Sequence, residues 1–301
     1  MRPDGGPEDF YLNSGRRDLY TNTGAFRQSR GRADIVVLTL GEEETQAVTA
    51  ALQRLPRHRQ VRLVSGTLAH EATLHSDNGP MRIAAAQTPV SGPATKGSGH
   101  VGRSSEQLPD PAGTPRHTTM IEAYQPSTVL LVGIGGGLAD QVRIGDVVIS
   151  DESRPDTPRG TRRHGQPIPS ALGHRLDSFL AHQGNDVPSP YGVPFRLHRG
   201  LISTEITEII NAATETAPET RTSQATVHDP VTGTALAVET TLAELVQAIH
   251  RRTAPLDCLA VLGIANRANT RRPAAGDFRA LAAANTATAI LTLIPHLRRF
   301  G

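Results

Sequence analysis

Along this chain apolar residues gather into short runs separated by polar and glycine-rich stretches. Asp34 to Val48 (DIVVLTLGEEETQAV) begins as a buried-strand pattern and turns into a helical one at its three glutamates. Thr128 to Val132 (TVLLV) is short, apolar and β-branched, as suits a strand covered on both faces of a parallel sheet. A polar turn at Arg143 to Gly145 leads to the next strand, Asp146 to Ile149. Helical patterns cover Glu42 to Leu55, Thr241 to Arg251 and Asp277 to Leu297. In the last, Leu281, Ala284, Thr288, Leu291 and Ile294 recur at three- and four-residue steps and predict its apolar face. The predicted order is strand, helix, strand, strand, loop, strand, strand, helix, strand, helix. That alternation predicts an α/β fold with a mixed, mainly parallel central sheet flanked by helices.

Three stretches show neither period. Residues 1–33 are polar and rich in Gly, Arg, Asp and Asn; they read as a disordered extension or a partner-binding arm, ahead of one domain over 34–301. Pro89 to Arg116 mixes Pro, Gly, Ser and Thr, and reads as a mobile active-site loop or a tolerated insertion. Ser153 to Pro169 reads as a surface loop whose Arg154, Arg159, Arg162 and Arg163 either stay solvated or face an anion.

Immediately after TVLLV come four glycines in five positions, Gly133 to Gly137. A glycine-rich turn at the carboxyl end of a buried strand lets backbone N–H groups approach a ligand with no Cβ in the way. The spacing is not GxGxxG followed by a long helix and an acid, which argues against a dinucleotide site. A P-loop is excluded, because the one lysine of the chain is Lys96.

Composition narrows the field further. A net charge of +2, no dense basic run, and four tyrosines, six phenylalanines and no tryptophan offer little to nucleic acid. Cys258 sits in an apolar run and reads as a small buried hydrophobe. No stretch approaches 18 apolar residues, so the expectation is a soluble, cytoplasmic protein with no membrane partner. His164, His174 and His182 are spaced ten and eight apart, and no HxxxH, HExxH or GxSxG occurs. No metal, no cofactor and no serine-hydrolase elbow are therefore expected.

GIGGGLADQVRIGDVVIS, Gly133 to Ser150, resembles the glycine loop and following strand of the purine nucleoside phosphorylase and nucleosidase superfamily. DIVVLTLGEEETQAV resembles that family's first strand and helix, and HRGLIS (198–203), ALAVE (235–239), LAVLGIANRAN (259–269) and FRALAAANTATAILTLI (278–294) follow in its order. The likeness covers roughly 34–297, with a poorly matched middle from about 88 to 118.

The resemblance implies a small-molecule purine nucleoside as ligand and cleavage of its N-glycosidic bond. It implies further that Glu44, four residues before Val48, orients water, and that Gly135, Gly136 and Gly137 line the pocket floor. Glu208 and Ile209 would touch the base. Two positions depart from the family pattern. AVETTL keeps Glu239 but has Thr241 where a ribose-binding glutamate belongs, so either residue could hold the ribose. GIANRAN has Asn266 and Asn269 where aspartates belong. An asparagine can hydrogen-bond a base but cannot relay its proton. Two readings stay open: a nucleosidase, favoured over a phosphorylase because TVLLV lacks the family's phosphate-binding arginine, and a non-catalytic nucleoside or nucleotide sensor with a degenerate site. Arg103 and Arg116 could restore the phosphorylase alternative. A homo-oligomer, dimer or higher, is expected because family sites are completed near subunit contacts.

Overall fold

The segment IVVLT has no polar alternation, which fits a strand covered on both sides; it forms β1 (Ile35–Thr39), with all five residues buried. A computed structural model of the chain describes residues 32–76, 79–88, 116–150, 171–184, 186–203, 228–229, 233–239, 241–250, 256–268 and 276–298. β1 runs parallel to both its neighbours, β4 (Gly79–Gln87) and β5 (Thr128–Gly137). On the far side of β5 lies the parallel strand β12 (Asp257–Arg267).

Outside this parallel centre the pairing is mostly antiparallel. β2 (Arg59–Arg62) and β3 (Leu68–Ser76) extend the β4 edge as antiparallel strands. β6 (Val147–Ser150) is antiparallel to β12 and parallel to β7 (Leu197–Arg199). β8 (Ile202–Ser203) pairs with β11 (Ala237–Val238), which itself runs antiparallel to the glycine end of β5. These ten described strands form one sheet, and β9 (His228–Asp229) and β10 (Gly233–Thr234) form a separate pair.

The period of two assigns alternate strand residues to two cores. Ile35, Val37, Leu130, Val132, Leu259 and Val261 pack against α1 (Glu42–Gln53), α3 (Ala171–Gln183) and α5 (Gly276–Leu293), the last continued by a 3₁₀ turn, Ile294–His296. Val36, Leu38, Val129, Leu131, Ala260 and Leu262 pack against α2 (Arg116–Tyr124) and α4 (Leu242–His250). The fold is thus α/β, with a mixed sheet, parallel at its centre, and helices on both faces.

Several expectations are corrected. The glycines do not turn: β5 runs on through Gly137, because glycine lets neighbouring strands and side chains come close. α2 and α3 were not foreseen. Of the predicted stripe, Ile294 is buried in the turn that follows α5, but Leu281, Ala284, Thr288 and Leu291 are only half-buried, whereas Ala282, Ala283, Thr286, Ala287, Ile290 and Leu293 are buried. The reason is close contact: Gly263 of β12 lies so near α5 that an added Cβ would overlap the Ala282 carbonyl and the Thr286 hydroxyl. Small residues must therefore face the sheet. The same region corrects the apolar-length expectation, since Phe278–His296 reaches 19 residues at mean hydropathy 1.2, half of it buried inside the fold. It is a core helix by its packing. Cys258 is buried in β12, as read from its apolar surroundings.

Asp146 secures the edge nearest the glycine segment. Its carboxylate accepts hydrogen bonds from the backbone N–H of Arg143 and Arg196 and from His198 Nε2, each at 2.9 Å. Burial pushes the Asp146 carboxyl up, but the bonds from His198, Arg196 and Arg143 outweigh it, and the group titrates below its ordinary 3.8. A carboxyl so depressed favours folding above pH 3.8, and that contribution is lost as pH falls through the lowered value. Asp146→Asn is expected to cost about 2–3 kcal/mol at neutral pH. Urea unfolding of wild type and variant checks it, with the difference shrinking toward acid pH.

Candidate active site

At the carboxyl ends of β1, β5 and β12, and beside β11, four separate stretches of sequence converge. Gly136 sits between Val238 of β11 on one side and Asn266 of β12 on the other. β12 carries a bulge between Ile264 and Asn266, two residues advancing against one step of β5. Such a bulge resets which way the following side chain faces. It lays the Asn266 amide against Gly136, where a Cβ would stand 2.9 Å from Oδ1. Gly135 allows an equally close approach, since its Cβ would lie 2.6 Å from the Val238 carbonyl oxygen. Gly137 continues the ladder, accepting at its carbonyl from the Ala268 N–H at 3.0 Å.

Glu44 enters from the first turn of α1. Gly41 caps that helix without a side-chain bond, and leaves room for the Glu44 carboxylate to fold back where a Cβ would collide with it. The Thr45 hydroxyl donates to the Gly41 carbonyl at 2.6 Å and meets the Thr39 hydroxyl at 2.6 Å, joining the helix start to the end of β1. Glu44 is 3% exposed, and its Oε2 has no hydrogen-bond partner among the described residues. Burial pushes its carboxyl above the ordinary 4.5, opposed by its own backbone N–H and by Arg279, and reinforced by the charges of Glu43 and Glu239. Arg279 of α5 is itself held by Glu43 through bonds of 3.0 and 3.2 Å.

Glu239 follows β11, and its backbone N–H donates to the Ser203 carbonyl at 2.9 Å. Its carboxylate serves α4: Oε2 accepts from the N–H groups of Thr241 and Leu242 at 2.9 and 2.8 Å, and Oε1 accepts from the Thr241 hydroxyl at 2.7 Å. The first N–H groups of a helix need such acceptors. Glu239 and Thr241 therefore form one hydrogen-bonded unit at the site's edge. The charge of Glu239 is the smallest of the causes that push the Glu44 carboxyl up.

The structure thus gathers Glu44, Gly135, Gly136, Gly137, Glu239, Thr241 and Asn266 at one end of the sheet. Glu208, Ile209, Asn269 and Arg103 lie outside the described residues, as do most of the predicted extension and of the loops 89–116 and 153–169. Sequence reading missed Arg279, whose partner Glu43 is 236 residues away and gives no local signal. It also missed the capping role of Glu239, which an acid directly before a helical pattern could have signalled. Among the described residues, no three His, Cys, Asp or Glu side chains converge to hold a metal ion.

The sequence profile of the phosphorylase superfamily matches residues 109–295. The chain is 32% identical over 74 residues to 5'-methylthioadenosine/S-adenosylhomocysteine nucleosidases of Shewanella oneidensis and Shewanella sp. strain MR-7. That stretch is 25% of this chain and 28% of theirs, so the chain spans little more than a quarter of the length of the curated relatives it matches. Among solved structures, the S. pneumoniae nucleosidase of the same name, bound to a transition-state inhibitor, superposes with a TM-score of 0.56 at 17% identity, covering 88% of this chain and 99% of that one. The Colwellia psychrerythraea nucleosidase in complex with adenine gives 0.53 at 15% identity, covering 88% and 96%. At these identities the likeness shows the fold.

Proposed function

From the premise that the chain belongs to the phosphorylase superfamily, we propose that it cleaves the N-glycosidic bond of a purine nucleoside by hydrolysis. The substrate of this reading is an adenosine derivative such as methylthioadenosine or S-adenosylhomocysteine, which the names of the matched relatives and neighbours also favour. Breaking the bond builds positive charge on the sugar and negative charge on the base, so water must be delivered beneath the anomeric carbon as the base leaves. The observation that carries the proposal is Glu44, a buried carboxylate with an unpartnered oxygen in the first turn of α1, which follows the β1 strand paired with β5. Raised above its ordinary range, it is a competent acceptor for the proton of an attacking water. Asn266 donates a hydrogen bond to the base, and Gly135 to Gly137 line the pocket by letting Val238 and Asn266 close up against them. Glu239 Oε1, with Thr241 beside it, accepts from a ribose hydroxyl. The same proposal includes a homo-oligomer, dimer or higher, around the site.

Hydrolysis is favoured over phosphorolysis by the cations. Thr128 to Val132 is buried and apolar, Arg279 is engaged by Glu43, and Arg267 by Asp140. A phosphate site needs donors that are not already taken by acids.

A second reading rests on one specific observation. Asn266 cannot give the leaving base a proton, and the Glu239 carboxylate is occupied in capping α4. A site of that kind could bind a nucleoside without cleaving it. Release of free base from adenosine, inosine, methylthioadenosine and S-adenosylhomocysteine, with and without phosphate, separates the two. The nucleosidase reading expects phosphate-independent release from at least one; saturable binding with no release from any would establish the sensor.

The pH profile adds a signed test. Glu44 must be ionised to act as base, so kcat/KM rises with pH through a value above 4.5. Removing the negative charge of Glu239 in Glu239→Gln lowers that value, because Glu239 is one of the charges that raise it. The acid limb is expected to move to lower pH even where the maximal rate also falls.

A further inference from the structure

At the opposite end of the sheet, where β1 begins, lies a cavity of about 710 Å³ with no part in the site described above. Five residues of β1, at about 3.3 Å each, set it some 16 Å from the glycine end. Its volume is in the range of small-molecule sites, about 300–1,000 Å³. The floor is apolar: Pro80 is exposed to the cavity, over the buried Ala33, Ala72, Ile83 and Tyr124. The wall carries Arg57, Arg59 and Arg82 against two acids, Asp34 and Glu71, with His58 beside them.

Both acids are already spoken for inside the protein. Glu71 is buried and accepts from Arg59 Nε at 2.7 Å and from the Tyr124 hydroxyl at 2.8 Å, with Arg82 4.0 Å away. Asp34 accepts from the Arg82 backbone N–H at 2.7 Å. Arg57 is exposed and meets no acid among the described residues, and the Arg82 side chain is 44% exposed. The surplus charge therefore faces the cavity. Backbone conformation adds an independent mark, for among the described residues the two non-glycine positions with left-handed φ both border it: Arg57 at φ 57° lines it, and Gln125 at φ 44° follows Tyr124. A left-handed arginine is uphill and persists where the surroundings over-determine it.

We propose that this cavity binds a small organic anion, a carboxylate or phosphate carried on a compact apolar body, with Arg57 and Arg82 holding the charge and the exposed Pro80 face the body. A guanidinium pair suits either oxyanion, and a body without charge has only the floor to hold it.

Phenyl phosphate and benzoate, titrated into the full chain by calorimetry, are the probes, with benzamide as the uncharged control. Saturable binding of one or both anions, at least about tenfold tighter than benzamide, is expected; which anion binds tighter separates phosphate from carboxylate. Arg57→Gln and Arg82→Gln should each weaken it at least about tenfold, while Glu44→Gln leaves it unchanged, which keeps the outcome separate from that of the glycine site. Arg57→Gly should raise the melting temperature by relaxing the left-handed position while still losing the probe, so weakened binding in that variant cannot be ascribed to unfolding. Equal binding of benzamide, undiminished binding in both arginine variants, or no saturation with either anion would overturn the proposal.

Discussion

Glu44→Gln is expected to lower base release by about 10²- to 10⁴-fold, the range lost when a positioned general base is removed, while the melting temperature at neutral pH holds or rises. The two effects have one cause. The Glu44 carboxyl is buried, and its Oε2 lacks a hydrogen-bond partner among the described residues. An ionised group in that setting is a burden on the fold, which burial expresses by raising its titration point above 4.5. With the folded value above the unfolded one, the protonated form favours folding. The contribution of Glu44 to stability is therefore greatest below pH 4.5 and declines as pH rises through the raised value. Glutamine keeps the shape, loses the charge and removes that decline. Thermal unfolding across pH, beside steady-state kinetics, checks both halves. A variant that loses stability and activity together would make Glu44 a structural residue.

The second large effect concerns backbone spacing. Gly135→Ala is expected to destabilise the protein by about 1–3 kcal/mol and to raise KM more than it lowers kcat. The new Cβ would stand 2.6 Å from the Val238 carbonyl oxygen, a backbone atom that cannot swing aside. β11 must shift instead, and Glu239 and Thr241 move with it. Gly133→Ala supplies the contrast. Its Cβ would meet the ends of two leucine side chains, Leu40 Cδ1 at 2.7 Å and Leu262 Cδ2 at 3.0 Å, which can rotate away at smaller cost. Urea unfolding and KM values for the pair check the ordering, which reverses if the leucines are the harder constraint.

What could be read from the sequence follows from how local the physics is. β1, β5, β12 and α1 rest on uninterrupted apolar runs or a clear helical start, and each begins within two residues of where the pattern put it. The centre of the sheet was legible for that reason. α2, RHTTMIEAY, was not, because its anchors are just Met120 and Tyr124 in an otherwise polar stretch. α3 does carry Leu172, Leu176 and Phe179 at helical spacing, but it follows the arginine-rich loop whose composition masked its start. For α5 the leucines pointed to the wrong stripe, since proximity to Gly263 selects alanine and threonine against the sheet.

The site shows the same division. Glu44, Asn266 and the three glycines lie in continuous motifs, and the fold sets Asn266 against Gly136, with Glu44 in the helix that follows the neighbouring β1. The union of Glu239 with Thr241 was not anticipated. Two candidates for one role turned out to be bonded to each other, at 2.7 Å, because both stand at the open N-terminus of α4. Arg279 and the Asp146–His198 pair depend on partners distant in sequence, 236 and 52 residues apart, and no local pattern could announce them.

In the proposed reaction water, brought in by Glu44, displaces the base. Incubating the full chain with methylthioadenosine in ¹⁸O-labelled water without phosphate, and weighing the released sugar by mass spectrometry, tests it directly. One labelled oxygen in the sugar together with free adenine is expected, and at least about 10²-fold slower formation of both with Glu44→Gln. Intact nucleoside that is bound but never cleaved, or cleavage that appears with added phosphate alone and leaves no label, would contradict it.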